Sequence, residues 1–167
     1  MKEVGLIYAT EGGTCESVCK RLVTLLGEDK VDLIEVSNAS LEDLQNHEKL
    51  ILASSTSGVG ELQPDWDELY DSFDDVDFSS KTVALLGLGD QDSYPDSFCG
   101  CISFFYEKLG DANVVGQTST DGYEFDESDS VVDDMFVGLV IDEINQEELT
   151  DQRLSEWAND LKEEMGL

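Results

Sequence analysis

Six apolar runs alternate along the chain with stretches in which apolar residues recur every three or four positions. Val4–Tyr8, Val31–Val36, Lys49–Ser54, Thr82–Leu88, Asn113–Gly116 and Phe136–Ile141 read as strands. Between them, Val18, Leu22 and Leu25 share one helical stripe. Trp66, Leu69, Tyr70 and Phe73 form a second, and Phe98, Ile102, Phe105 and Leu109 a third. A last helix starts near Thr150, whose hydroxyl suits an N-cap, and carries Leu154, Trp157 and Leu161 on its buried face. Strands and helices alternating at this length predict an α/β fold, a parallel sheet with helices on both faces. The rhythm fails between Gln117 and Met135, a polar acidic stretch without a helical period. A loop of that length in a small domain is functional or an ordered insertion.

The 167 residues, 40% of them hydrophobic, suffice for one α/β domain over 1–167 with a real core. Charge adds what the pattern does not carry. With 39 acids against 9 bases the net charge is −30, which repels nucleic acid and anionic membrane. It favours a basic protein partner found by electrostatic steering, and it also keeps the protein in solution. No apolar run reaches membrane-spanning length, and the first residues pass straight into a strand-like run without a signal-peptide pattern. A cytoplasmic protein is the expectation. The cysteines form two close pairs, Cys15/Cys19 and Cys99/Cys101, unlike a secreted disulfide framework or a C-x-x-C metal site. His47 is the only histidine, so buried thiols are expected and a mixed Cys/His metal site is not.

Two strand-to-helix turns carry candidate chemistry. In the fourth, Gly87-Leu88-Gly89-Asp90 leads through Tyr94 to Phe98, placing glycines, an acid and an aromatic at the lip of the sheet. Ligands of open parallel sheets bind at that lip. Glycines let a flat ring approach the backbone, and Tyr94 offers a face to stack on it. A tight turn with one exposed tyrosine would have the same composition. In the first turn, Ala9-Thr10-Glu11-Gly12-Gly13-Thr14-Cys15-Glu16 leaves N–H groups free at the positive end of a helix dipole, a ready anion site. It lacks the Lys of a phosphate-binding P-loop and the spacing of a dinucleotide fingerprint, and a hydroxyl-capped glycine turn is the plainer reading.

Taken together these segments resemble the long-chain flavodoxins over essentially the whole chain. Thr10–Cys15 is similar to that family's T-x-T-G-x-T/S phosphate loop. Ser55–Trp66, with Gly60-Glu61-Leu62-Gln63 and Asp65-Trp66, resembles its P-T-W-x-x-G-E-L-Q-x-D-W segment. Gly87–Phe98 resembles its G-x-G-D-Q-x-x-Y-x-x-x-F loop, and Ser119–Phe125 with Phe136–Leu139 resembles the insertion that interrupts its fifth strand. The resemblance implies a five-stranded parallel sheet of order 2-1-3-4-5 between two helical layers, noncovalent FMN, and one-electron transfer rather than enzymatic catalysis. It implies basic redox partners such as a ferredoxin/flavodoxin–NADP reductase, and a monomer. The implied cofactor contacts are Thr10, Glu11, Gly12, Gly13, Thr14 and Cys15 around the phosphate, with Thr56, Ser57, Gly58 and Gly60 at the dimethylbenzene side and N5. Gly89, Asp90 and Cys99 would address the pyrimidine edge and Tyr94 the outer ring face, while the Gly58 peptide would turn over on reduction.

Three positions depart from the family pattern. Gly12 stands where the loop's second hydroxyl residue belongs, Cys15 where its last Thr/Ser belongs, and Ser57 where a Trp covers the flavin. Each lost hydroxyl bond to a charged group costs about 1.5–3 kcal/mol, and the lost stack about 0.5–1.5 kcal/mol. FMN binding weaker than is usual for the family follows. Cys15 is read as a neutral thiol in place of the hydroxyl, against the sharper alternative of a thiolate at a helix N-terminus acting as a redox-sensitive brake. The competing function is a flavodoxin-fold interaction module with weakened or lost FMN binding. A receiver domain is discarded because the third strand ends Ala53-Ser54-Ser55 without an Asp.

Overall fold

The computed structural model describes residues 1–167. Its central sheet holds β1 (Val4–Ala9), β2 (Val31–Glu35), β3 (Lys49–Ser57), β5 (Thr82–Leu88) and β10 (Leu139–Ile141) in the order β2-β1-β3-β5-β10, all parallel. β4 (Glu61–Leu62) folds back antiparallel on β3, and β6 (Asn113–Val115) runs parallel to β5. The order agrees with the expectation 2-1-3-4-5 once β6 and β10 are taken as two halves of the fifth strand.

The period of two in each strand divides the core between two faces. Leu6, Tyr8, Ile51, Ala53, Ala84, Leu86, Leu139 and Ile141 meet α1 (Thr14–Leu26) and α5 (Thr150–Met165). Ile7, Ala9, Leu50, Leu52, Val83, Leu85 and Val140 face the other way, toward α2 (Leu41–Asn46), α3 (Asp67–Asp71) and α4 (Cys101–Lys108). On that second face Trp66, Phe73 and Phe105 pack ring against ring at 4.7–6.1 Å. Strands buried on both faces need apolar residues at consecutive positions, which is why they read as runs rather than alternations.

Three sequence expectations change in detail. Phe98 precedes α4 instead of starting it. Thr150 is the first residue of α5 and not its cap, because a 3₁₀ turn over Glu147–Leu149 precedes it; its hydroxyl donates to Glu143 Oε2 at 2.9 Å. Phe136–Ile141 is not one strand. Met135–Phe136 (β9) instead pairs antiparallel with β7 (Thr118–Ser119) and β8 (Val131–Val132), so the acidic stretch is an ordered three-stranded insertion.

Two glycines mark where the chain leaves the sheet and returns. β6 aligns with Thr82–Ala84 and β10 with Leu86–Leu88, leaving Leu85 opposite the gap. Gly116, with φ +77, turns the chain out against Trp157, whose indole N–H donates to Gly116 O at 2.8 Å. Gly138 brings it back so tightly that a β-carbon there would lie 2.1 Å from Leu85 O. Replacement of Gly138 by Ala is therefore expected to destabilise the fold by about 2–4 kcal/mol through strain in β5, read as a lower urea midpoint.

Candidate functional site

A parallel sheet sends every strand-to-helix turn out at the same edge, and four turns meet there. The turn after β1 contributes Glu11 and Thr14; the end of β3 contributes Ser55, Thr56 and Gly58. Leu88 with the turn after β5 brings Gly89, Asp90, Tyr94 and Cys99, and the turn after β10 brings Glu143 and Ile144. Together they line one open crevice.

At one end lies a cradle of backbone donors. Gly12 and Gly13 have φ of +70 and +89, and a β-carbon on either would meet nothing within 4 Å, so the space over the turn is open. The N–H of Glu16 is taken by Thr10 Oγ1 at 3.2 Å and that of Ser17 by Gly13 O at 3.0 Å. The N–H groups of Glu11, Gly12, Gly13, Thr14 and Cys15 donate to nothing in the chain. Free amides at the start of a helix are suited to a phosphate.

Hydroxyls at the end of β3 complete that region. Ser54 Oγ accepts from Gln63 N–H at 3.2 Å, and Thr56 Oγ1 donates to Leu88 O at 2.7 Å. Ser55 Oγ, between them, is buried with no partner. Strand alternation puts Ser55 on the face of Ile51 and Ala53, which is the face of α1 and its N-terminal turn. A buried hydroxyl without a partner costs about 1–3 kcal/mol, which a ligand oxygen in the crevice would recover.

The opposite lip is Tyr94, 45% exposed, in a turn fastened from behind by the insertion. Pro95 O accepts from Asp126 N–H at 2.7 Å and Glu127 N–H at 2.9 Å, and Ser130 Oγ donates to Cys99 O at 2.7 Å. Phe98 packs against Tyr123, Phe125 and Phe136 with centroids 5.3–6.2 Å apart. These contacts hold Cys99 at φ +47, in the left-handed region a non-glycine residue rarely takes. Burial pushes the Cys99 thiol well above its usual range, so it is a neutral sulfur at the crevice floor.

A fully buried carboxylate joins the turns after β5 and β10. Asp142 Oδ2 accepts from the N–H and Nε2 of Gln91 at 3.0 and 2.8 Å and from Asn145 Nδ2 at 2.9 Å. Its Oδ1 accepts from the N–H groups of Ile144 at 3.1 Å and Asn145 at 2.9 Å. Burial opposes the charge, but these donors outweigh it and hold the carboxyl below the usual range. Asp90 follows the same logic. Burial raises it, and bonds from Asn145 and Ser93 bring it down further.

Eight expected site residues line the crevice: Glu11, Thr14, Thr56, Gly58, Gly89, Asp90, Tyr94 and Cys99. Thr10, Gly12, Gly13 and Cys15 belong to the cradle through backbone or turn geometry. The reading of Cys15 as a stand-in hydroxyl is corrected. Its side chain is fully buried in the core beside Cys19, because α1 turns position 15 inward with Val18 and Leu22. That burial also removes the basis for an exposed thiolate brake. Ser57 and Gly60 lie outside the crevice lining, with Gly60 packed against Ser97 and Gly100. Ser55, Leu88, Glu143 and Ile144 were not foreseen, and only the hydroxyl run Ser54-Ser55-Thr56 offered a signal for one of them.

A wider groove of about 870 Å³ runs between α1, the free edge of β2 and α2. It lies off the strand ends and its polar groups pair among themselves. His47 Nε2 lies 3.0 Å from Asp32 Oδ2, Lys2 Nζ donates to Glu28 O at 2.9 Å, and Ser40 N–H donates to Asp43 at 2.8 Å. The crevice, with its free donors, is the candidate site.

Residues 6–157 match the Flavodoxin family model. A flavodoxin of Nostoc sp. is 44% identical over 168 residues, covering 99% of each chain, and one of Helicobacter pylori is 41% identical over 162 residues, covering 97% of this chain and 98% of the relative. A crystal structure of Fusobacterium nucleatum flavodoxin bound to flavin mononucleotide superposes with a TM-score of 0.93 at 36% identity, covering 98% of this chain and 99% of that one. The chain belongs to the flavodoxin family, whose members are electron-transfer proteins working with redox partner proteins.

The Asp142 carboxylate gives a pH prediction. Because its folded value is lowered, its stabilisation is complete above the ordinary aspartate range of about 4 and is lost as pH falls through the folded value. Replacement by Asn turns an NH₂ toward N–H donors and is expected to cost about 2–3 kcal/mol at neutral pH. Urea unfolding of the Asp142→Asn variant between pH 3 and 7 is expected to show a weaker decline toward acid than the unaltered chain.

Proposed function

We propose that this flavodoxin binds FMN in the crevice and passes single electrons between redox proteins. The observation that carries the reading is a cradle of five free amides joined, across one crevice, to the exposed face of Tyr94. The Fusobacterium flavodoxin, bound to FMN, supports it. The N–H groups of Glu11–Cys15, the Thr14 hydroxyl and Ser55 Oγ would hold the phosphate. Tyr94 would stack on the ring, with the backbone of Gly89, Asp90 and Cys99 at the pyrimidine edge. Gly58, at φ +50, keeps its peptide free to turn over without a side-chain penalty. The cofactor supplies the one-electron chemistry when bound, and the chain needs no acid or base for it.

The cradle holds its anion without a cation. The basic side chains that follow on α1 are both engaged, Lys20 by Glu16 at 2.7 Å and Arg21 by Glu143 at 2.9 Å and by Asp151. Gly12 brings no side chain and Cys15 turns its thiol inward, so affinity rests on neutral donors and is weaker than in a cradle with both hydroxyls. Ser55 restores part of what they would give.

Partners are read from charge. Glu11, Glu61, Asp92 and Asp96 are exposed around the crevice, in a chain of net charge −30. That field steers basic proteins, such as a ferredoxin/flavodoxin–NADP reductase, toward the cofactor edge and opposes self-association, favouring a monomer. No helix is long and apolar enough to cross a membrane. Four free, buried cysteines fit a reducing, cytoplasmic setting.

Equilibrium dialysis tests the binding reading. FMN is expected to bind more tightly than riboflavin, and Ser55→Ala is expected to lose about 5–30-fold for FMN, about 1–2 kcal/mol, with riboflavin unchanged. Equal affinity of the unaltered chain for the two ligands would exclude the phosphate cradle. Binding of neither would leave the interaction-module function.

Steering is tested in stopped flow. Reduction of the FMN-loaded protein by a basic reductase is expected to slow as salt rises from about 0.02 to 0.5 M. Asp92→Asn with Asp96→Asn should flatten that dependence. A rate indifferent to salt would exclude the acidic docking face.

A further inference from the structure

Ile144 has no structural explanation within the folded chain. It is 72% exposed, although isoleucine is among the residues most often buried. The turn that carries it is among the most firmly held parts of the surface. The Ile144 N–H donates to Asp142 Oδ1, Asn145 is fixed by three further bonds to Asp142 and Asp90, and Gln146 N–H donates to Asp142 O at 3.0 Å. The adjoining Glu143 is locked to Arg21 and Thr150. With its neighbours pinned on both sides, the side chain is kept out of the core and lines the crevice with Leu88 and Tyr94. Ser57 lies outside the lining, so Tyr94 is the one aromatic wall of the crevice and a second is lacking.

We propose that Ile144 is the second apolar wall of the crevice, closing on the ring and ribityl portion of the bound flavin, and that the Asp142 turn exists to hold it there. The inference rests on the FMN-binding reading and deepens it. The residue makes no polar contact, so it acts on the part of the ligand that FMN and riboflavin share and is indifferent to the phosphate. In this it differs from Ser55, whose effect depends on the phosphate. A wall of this kind also excludes water from one side of the flavin.

The test uses the full chain with FMN and riboflavin as separate ligands. Ile144→Ala is expected to weaken both by the same factor, about 3–10-fold, as suits partial loss of an aliphatic contact. Ile144→Asp is expected to weaken both further. Quenching of bound riboflavin fluorescence by iodide should rise in both variants. As a surface residue, Ile144 is expected to leave the thermal midpoint of the ligand-free protein unchanged, which separates loss of a contact from loss of the fold. Unchanged affinities for both ligands would overturn the wall. So would unchanged affinities with altered reduction by a partner, since Ile144 would then serve protein docking. A loss for FMN alone would overturn it too, placing the side chain at the phosphate. Failure of the unaltered chain to bind either ligand would overturn the binding reading itself, and the wall with it.

Discussion

Five strands running in one direction oblige every strand-to-helix connection on their C-terminal side to emerge along one edge of the sheet. That constraint decides where chemistry can occur in this molecule. The turns after β1, β3, β5 and β10 are separated by tens of residues in sequence, yet the parallel registers leave them side by side. Each arrives with a different resource: free amides from the first, hydroxyls and a flexible glycine from the second, an aromatic face from the third. The fourth contributes a pinned isoleucine beside an ion-paired glutamate. The central strands have little freedom to adapt, because both faces are packed against helices. Adjustment to a ligand is therefore confined to the turns.

Much of this was legible in the chain. Buried strands announce themselves as continuous apolar runs, and the turns between Val4–Tyr8 and α1 and after Thr82–Leu88 carried glycine and hydroxyl patterns that became specific only in combination. What stayed hidden was long-range. Asp142 looked like one more acid in an acidic protein, because Gln91, which donates to it twice, lies 51 residues away. Ile144 drew no reading at all, since nothing local says that its backbone is tied down. Position 15 seemed to face the phosphate by analogy of sequence, but the helical phase set by Val18 and Leu22 turns it into the core. Phe136–Ile141 read as one strand because a single glycine inside an apolar run does not reveal that the carbonyl of Leu85 presses against it.

The acidic surface and the crevice obey different electrostatic rules. Exposed carboxylates such as Asp92 and Asp96 act through a field that salt weakens, and they govern how fast a partner arrives. Asp142 and Asp90 are charged for the opposite reason. Their neighbours supply N–H donors that hold the charge in place, and Asp142, fully buried, is shielded from the bulk as well. One residue type thus serves as long-range signpost and as internal rivet, with burial deciding which.

The paired glycines at 116 and 138 make the acidic excursion a cassette. Because β6 and β10 keep register on either side of Leu85, the segment between them could be shortened without displacing any strand. Strand register would survive its removal, although Phe136 and Val137 would leave the core. The tyrosine lip would lose its support, for its proline carbonyl, its phenylalanine anchor and its left-handed cysteine all lean on that segment. An element on which no strand register depends is thus a splint for one side of the cleft.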